Sequence, residues 1–494
     1  MSGNALEEAK KYELAGEKRV EKEDRPVFHL SPRIGWMNDP NGFSFHDGKY
    51  HLFYQYHPYN TYWGPMHWGH AVSKDMLNWE YLPVVMAPDM DYDYAGCFSG
   101  GAITLDDGKH LLIYTGVAKE KDENGHETDL QTQCIAIGDG VTYAKYEHNP
   151  VIDASKLPMG GSRVDFRDPH IFKENGLYKT VAVNRDADGY GSVLLFKSKD
   201  ACNWEFEKVI LHNDNGEFGT MWECPDYFEL DGKQLLFIST MEMEARGSEF
   251  CNGYGNLCFI GHLDENGNYV KESVQTIDYG HDFYGQQSLL APDGRRIMIG
   301  WMQNWDNINY RRNDCLWYGQ MSLPREIFLK NNRLYQRPIR EIDSLRKNKV
   351  DYSDILVDGE ISLDGIEGRV LDMELTIRPE TVQDMYKEFT INFAQDENHH
   401  MSLTYNPGDD TVSLDRRFAG SRNGMVHERK CVTKCDDGTL KLRIILDRYS
   451  AEVFINDGEE AMTLTFYTDS SAKNISFVAD GKAKLDIEKY DLYK

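Results

Sequence analysis

The 494-residue sequence predicts an all-β protein, a five-bladed β-propeller followed by a C-terminal β-sandwich. Three observations carry this: an internal repeat with a hairpin signal in every copy, an aromatic-rich composition suited to strands, and a change of pattern after residue 335. Composition comes first because it bounds the rest. Aromatic residues make up 12% of the chain, with 29 Tyr and 9 Trp, a level that favours packed strands and, secondarily, surfaces on which sugar rings stack.

The repeat is read from turns. Asp-Gly or Asn-Gly closes a hairpin between two apolar strands at Gly48, Gly108, Gly176, Gly232 and Gly294, spaced by 60, 68, 56 and 62 residues. Each interval holds four short strands, the content of one propeller blade. Type I′ turns need positive φ at both central positions, which Asn, Asp and Gly accept most cheaply, so all five hairpins are expected to be of that type. A second echo is Ser73-Lys74-Asp75-Met76-Leu77-Asn78-Trp79-Glu80 against Ser198-Lys199-Asp200-Ala201-Cys202-Asn203-Trp204-Glu205. It marks equivalent turns, with both tryptophans as packing residues. The propeller is expected over 26–335, a polar linker over 336–350 and the sandwich over 351–494, where strands such as Leu371–Ile377 and Leu440–Leu446 alternate. Residues 1–25 form a charged extension, a short helix or a disordered segment.

Charge excludes several function classes. Formal net charge is −27, from 54 Lys+Arg against 81 Asp+Glu, so the summed field repels nucleic acid and anionic membranes. No apolar run approaches the roughly 20 residues of a membrane span. Met1 to Arg25 has no apolar core of a secretion signal, and nine cysteines without framework spacing fit reduced thiols. A cytoplasmic location is expected. Cys431, Cys435 and His427 lack a second ligand pair and are read as ordinary side chains, so neither metal nor cofactor is called for.

Chemistry is sought where blades differ at one slot. Counting nine residues back from the hairpin glycine gives Asp39, Ser99 and Glu223 in units one, two and four, and eight back gives Asp168 in unit three. That slot opens each blade's innermost strand, so the side chains converge on the channel. One such carboxylate would be read as capping its own turn. Three crowded anions instead push their pKa values apart, as a site holding both a proton donor and a nucleophile requires. The Pro-Asn-Gly turn after Asp39 is expected to favour its ionised form, Arg167 to lower Asp168, and an apolar setting beside Trp222 and Pro225 to raise Glu223. Paired carboxylates across a glycosidic bond are the equipment of glycoside hydrolysis.

Residues Trp36-Met37-Asn38-Asp39-Pro40-Asn41-Gly42, Phe53-Tyr54-Gln55-Tyr56, Trp63-Gly64, Trp68-Gly69-His70-Ala71, Phe98-Ser99-Gly100, Phe166-Arg167-Asp168-Pro169, Glu223-Cys224-Pro225 and Leu323-Pro324-Arg325-Glu326 give the chain a close resemblance to glycoside hydrolase family 32. This family contains the invertases, fructanases and sucrose-6-phosphate hydrolases. The resemblance implies a retaining β-fructofuranosidase acting on sucrose and short fructo-oligosaccharides. Asp39 would be its nucleophile, Glu223 its acid/base and Asp168 the stabiliser of the transition state. It also implies a fructose pocket lined by Asn38, Gln55, Trp63, Phe98, Ser99 and Arg167, with Trp301 beside them, while Trp68 and His70 are structural. Sucrose 6-phosphate or fructan polymers are alternative substrates, and fructosyl transfer is an alternative outcome. More distant readings are an arabinan- or xylan-active propeller and a sugar-binding propeller without activity. The partner is a small sugar, and the sandwich offers a surface for pairing two copies.

Overall fold

A computed structural model describes residues 3–494 apart from 123, 313–314, 382, 422–425 and 436. Five sheets of antiparallel strands surround an axis, and the inner strands are Gly35–His46, Gly96–Thr104, Phe166–Glu174, Met221–Leu230 and Tyr284–Leu290. Each inner strand contacts the next, and the fifth contacts the first, so the ring is closed. A short strand, Trp317–Tyr318, adds to blade 1 in parallel, pairing Gly35 with Trp317 and Trp36 with Tyr318. Closure thus falls two residues before Asn38.

Side-chain alternation explains why blades stack. In His110–Lys121, Leu111 and Ile113 enter a cluster with Phe166, Ile171 and Phe196 of blade 3, while Leu112 and Tyr114 enter one with Phe53 and Trp68 of blade 1. Both faces are buried, which is why the segment reads as an unbroken apolar run. The five hairpin glycines all have positive φ, from 73° to 85°. Only blades 1, 3 and 4 also place the preceding residue there, at Asp47, Asn175 and Asp231. Blades 2 and 5 close over one more residue, with Leu105 N–H bonded to the Lys109 carbonyl and Ala291 N–H to the Arg295 carbonyl. A type I turn followed by a left-handed glycine makes that connection, so the expected type I′ turn is found in three blades of five.

The echoed turns are the same structure twice. Asp75 Oδ1 accepts from Ser73 Oγ at 2.9 Å and Asn78 N–H at 2.7 Å; Asp200 Oδ1 accepts from Ser198 Oγ at 3.0 Å and Asn203 N–H at 2.7 Å. The N-terminal segment is a docked helix, Gly3–Glu17. Ala9 is buried, Glu13 accepts the Val84 N–H at 2.8 Å, and Glu17 pairs with Arg33.

Strands run through most of the expected linker. Blade 5 ends with Arg333–Pro338, a short 3₁₀ segment covers Arg340–Leu345, and the first sandwich strand is Arg346–Ile361. That strand pairs along the final one, Asn474–Leu492, which bends at Gly481 (φ +103°) and serves both layers. Residues 474–480 pair with Glu388–Gln395 in one layer, and residues 483–491 pair with Leu371–Pro379 in the other. Apolar residues of both layers share one core. A seam of buried charges joins sandwich to propeller: Arg325 bridges Asp278 (2.8 Å) and Glu452 (2.6 Å), His29 bridges Asp447 (2.9 Å) and Glu452 (2.8 Å), and Arg416 meets Asp282 (2.6 Å).

Candidate active site

Each inner strand is irregular at one place. The pairing slips between Met37 and Pro40, Phe98 and Gly100, Arg167 and His170, Glu223 and Asp226, and Tyr284 and Gln287. A bulge inserts an unpaired residue and re-aims its side chain, so five bulges at one level create a ring of side chains that a regular strand would turn into the blade interfaces. Asp168 (φ 59°) and Cys224 (φ 51°) hold left-handed conformations that non-glycine residues avoid, and Gly285 (φ 62°) holds the same one.

The pairing also corrects the slot count. Blade 1 carries a second slip, between Asn41 and Ser44, which adds one residue between the slot and the hairpin. Nine residues back in blade 1 therefore corresponds to eight in blades 3 and 4. Asp39 aligns with Asp168 and Cys224; Asn38 aligns with Arg167 and Glu223. The ring thus has two tiers. Cys224 Sγ lies 3.7 Å from Asp39 Oδ2 and 3.8 Å from Asp168 Oδ2, which puts the first tier in mutual contact. In the second tier Glu223 is held from both sides, by Arg167 Nε at 3.2 Å and by the Tyr284 hydroxyl at 2.7 Å.

Each acid has a different setting. Asp39 Oδ2 accepts from Ser99 Oγ at 2.7 Å, while its Oδ1 is buried without a hydrogen-bond partner among the described residues. Gly285 leaves room for that oxygen, since a Cβ there would stand 2.8 Å from it. Burial and then the charge of Glu223 push Asp39 up to about 6, against the opposing bonds from Ser99, Asn38 and Cys224. Asp168 accepts the Cys224 N–H at 2.9 Å, and its own N–H is held by Thr115 Oγ1 at 3.0 Å. Burial pushes Asp168 up to about 7; Arg167 opposes, and the charges of Glu223 and Asp39 add. The expectation that a tight turn would favour ionised Asp39, and Arg167 a lowered Asp168, fails for one reason: in a buried ring, desolvation and like charge outweigh local donors. The setting of Glu223 is not apolar either. Its chain neighbour Trp222 points into the core, and cationic and hydroxyl donors from blades 3 and 5 fill the space.

The remaining residues fall around this ring in different ways. Asn38 is buried and takes the Trp36 Nε1–H at 2.7 Å, and Gln55 is buried and donates to the Cys97 carbonyl at 3.0 Å. Trp63 is half exposed, edge-on to Phe98 with centroids 6.0 Å apart. Arg167 also pairs with Asp165 at 2.8 Å. Trp301 has no exposed surface; it packs beneath Trp36 and Trp305 and so backs the pocket wall. Trp68 and His70 are fully buried, with Trp68 Nε1 donating to the Phe98 carbonyl at 3.1 Å. Sequence reading missed Tyr284, Thr115 and Cys224. The first had a signal beside it: the slot count extended to blade 5 lands on Gly285, nine residues before Gly294 and next to Tyr284.

Among the described residues no group of three or more His, Cys, Asp and Glu is arranged to hold a metal. Cys431 is buried against Met462, and Cys435 accepts from Asn456. No described helix is long and apolar enough to cross a membrane.

Known proteins fit this geometry over its full length. The glycosyl hydrolases family 32 N-terminal domain matches residues 29–338, and the family 32 C-terminal domain matches 341–494. A raffinose invertase of Escherichia coli is 37% identical over 463 residues, covering 93% of each chain. A sucrose-6-phosphate hydrolase of Zymomonas mobilis is 34% identical, covering 96% of this chain and 93% of its own. A GH32 β-fructofuranosidase of Bombyx mori superimposes with a TM-score of 0.85 at 32% identity, covering 100% of this chain and 99% of its own. With both of its domains matched and its carboxylates gathered in one ring, the chain belongs to glycosyl hydrolase family 32.

Proposed function

We propose that the protein removes terminal β-D-fructofuranosyl units from sucrose and short fructo-oligosaccharides by double displacement with retention. One observation carries the assignment of roles. Asp39 has one oxygen anchored by Ser99 and the other unpartnered, which is the state of a nucleophile ready to attack C2. Glu223 has both oxygens oriented by donors, as suits a group that delivers a proton to the leaving oxygen and later takes one from water. Asp168, held by backbone and Thr115, then stabilises the cationic fructosyl transition state and binds its hydroxyls. Asn38, Gln55, Trp63, Phe98, Ser99 and Arg167 shape the fructose pocket. Nine unpaired cysteines support a reducing, cytoplasmic setting.

The test is the anomer released. Proton NMR during sucrose cleavage is expected to show β-fructofuranose first; initial release of the α-anomer would exclude a covalent Asp39 intermediate. Parallel assays on sucrose, sucrose 6-phosphate, kestose, inulin and levan rank the substrates.

A further inference from the structure

Trp63 sits on the loop at residues 58–66, between the blade 1 strands Lys49–His57 and His67–Ser73. Its ring is 49% exposed, and its one ring contact among the described residues is Phe98, with centroids 6.0 Å apart. The place of Trp63 therefore depends on how the loop backbone is held. One hold comes from its own blade. His57 Nδ1 donates to the Tyr62 carbonyl at 2.8 Å, and the same imidazole lies so close to Gly64 that a Cβ there would stand 2.4 Å from it.

The other hold comes from blade 5. Arg311 lies in the segment between Arg296–Trp301 and the closing strand Trp317–Tyr318. Its guanidinium carbon is 4.2 Å from the ring centre of Tyr62 and 4.3 Å from that of Tyr318, and Nη1 donates to the Thr61 carbonyl at 3.1 Å. Nε and Nη2 donate to the Ile308 carbonyl at 3.3 and 3.0 Å, which fixes the group on its own segment. The stack continues inward. Tyr318 lies on Trp36, with centroids 4.7 Å apart and planes 19° from parallel, and the Trp36 indole N–H donates to Asn38, the residue before Asp39. No carboxylate among the described residues pairs with Arg311, whereas the adjacent Arg312 has Asp24 at 2.8 Å. Arg311 is thus not an ion-pair residue. Its donors go to two carbonyls of different blades and its cation to two rings, a combination suited to a planar guanidinium and not to an ammonium.

We infer that Arg311 is a positioning residue for fructosyl binding, which acts through Tyr62 and the Thr61 carbonyl to hold Trp63 against Phe98 at the pocket, an inference that rests on the fructosidase reading above. Without that hold the 58–66 loop is free to move, and the substrate has to order it on arrival. The cost of ordering falls on binding and leaves the chemical step alone, so its signature is a change in KM with kcat preserved.

The test is kcat and KM on sucrose and on sucrose 6-phosphate for wild type, Arg311→Met, Arg311→Lys, Trp63→Ala and the double variant of Arg311→Met with Trp63→Ala. Arg311→Met is expected to raise KM about tenfold on both substrates with kcat within about twofold, and Arg311→Lys, which keeps the charge and loses the plane, to raise it about fivefold. Trp63→Ala raises KM as well, and adding Arg311→Met to it is expected to raise KM no further, since both act through one side chain. Should Arg311→Met fail to fold, Tyr62→Ala, at a ring that is 57% exposed, removes the same stack with the same expected rise, and Tyr62→Phe restores KM. An unchanged KM in the Arg311 or Tyr62→Ala variants overturns the inference, as do effects of Arg311→Met and Trp63→Ala that multiply. A rise on sucrose 6-phosphate alone makes Arg311 a direct anion contact and also overturns it. Wild-type protein that cleaves neither substrate sinks the fructosidase reading instead.

Discussion

The catalytic ring and the propeller–sandwich seam bury charge in opposite ways. In the seam each buried ion meets its opposite. Burial alone would push His29 down, but its bonds to Asp447 and Glu452 carry it up to about 9. Burial alone would push Asp447 up, but His29 and the N–H donors of Val27 and Phe28 hold it down to about 2. In the ring three carboxylates share one space, and Asp39 and Asp168 sit at about 6 and about 7. The seam therefore needs its charges for the two domains to stay together. The ring keeps anions at the expense of stability, as a site poised to meet a developing cation must.

The largest expected effect separates the two regions outright. Asp39→Asn removes the proposed nucleophile and is expected to reduce kcat by on the order of 10⁴-fold, about 5 kcal/mol of barrier, while urea unfolding shows equal or greater stability at pH 7.5. Near-normal turnover in a folded variant would remove Asp39 from the role. Arg325→Met does the reverse. It strands Asp278 in the seam without its cation and leaves Glu452 with His29 alone, and a loss of about 3–5 kcal/mol of stability is expected by urea unfolding. A loss below about 1 kcal/mol would show the seam to be dispensable.

Opposite signs also predict how stability follows pH. Asp39 and Asp168 are raised above their unfolded values, so what they contribute is present below about pH 4 and lost as pH rises through 6 and 7. His29 is raised too; its contribution is complete below pH 6.5 and lost as pH rises through about 9. Asp447 is lowered, and its contribution is lost as pH falls from about 4 through 2. Stability is thus expected to peak near pH 5. Asp168→Asn should flatten the decline between pH 5 and 7.5, by on the order of 1–2 kcal/mol, and leave the decline toward pH 9 intact. An unaltered lower decline would mean that the ring is not crowded as its geometry requires.

The same contrast explains what could be read from sequence. Blade number, hairpin positions and the twin turns at Asp75 and Asp200 are local: a glycine or an Asp-X-X-Asn fixes its own backbone, and the chain displays it. Asp39, Asp168 and Glu223 were legible as types in a repeated frame. Their alignment was off by one because a bulge adds a residue without a sequence mark, which hid Cys224 as the partner of Asp39. Their electrostatics were not legible, since Tyr284 and Arg167 reach Glu223 from other blades. The seam was invisible for the same reason. His29, Asp278 and Glu452 lie hundreds of residues apart and carry no motif, while Arg325 gave a motif without its partners.

An effect on turnover rather than on stability tests whether the second tier of the ring works through Glu223. The Tyr284 hydroxyl is buried and donates to Glu223 Oε2 at 2.7 Å, with the Thr240 carbonyl 3.4 Å away as its other neighbour. Donating to Glu223 supports the carboxylate that activates water; turning toward Thr240 frees Oε2 to carry the proton for the leaving oxygen. On the proposed mechanism one rotor serves both halves of the cycle. A hydrogen bond to a charged group is worth about 1.5–3 kcal/mol, so Tyr284→Phe is expected to lower kcat roughly 10- to 100-fold with KM nearly unchanged. A rise in KM with kcat unchanged would instead place Tyr284 among residues that merely shape the pocket.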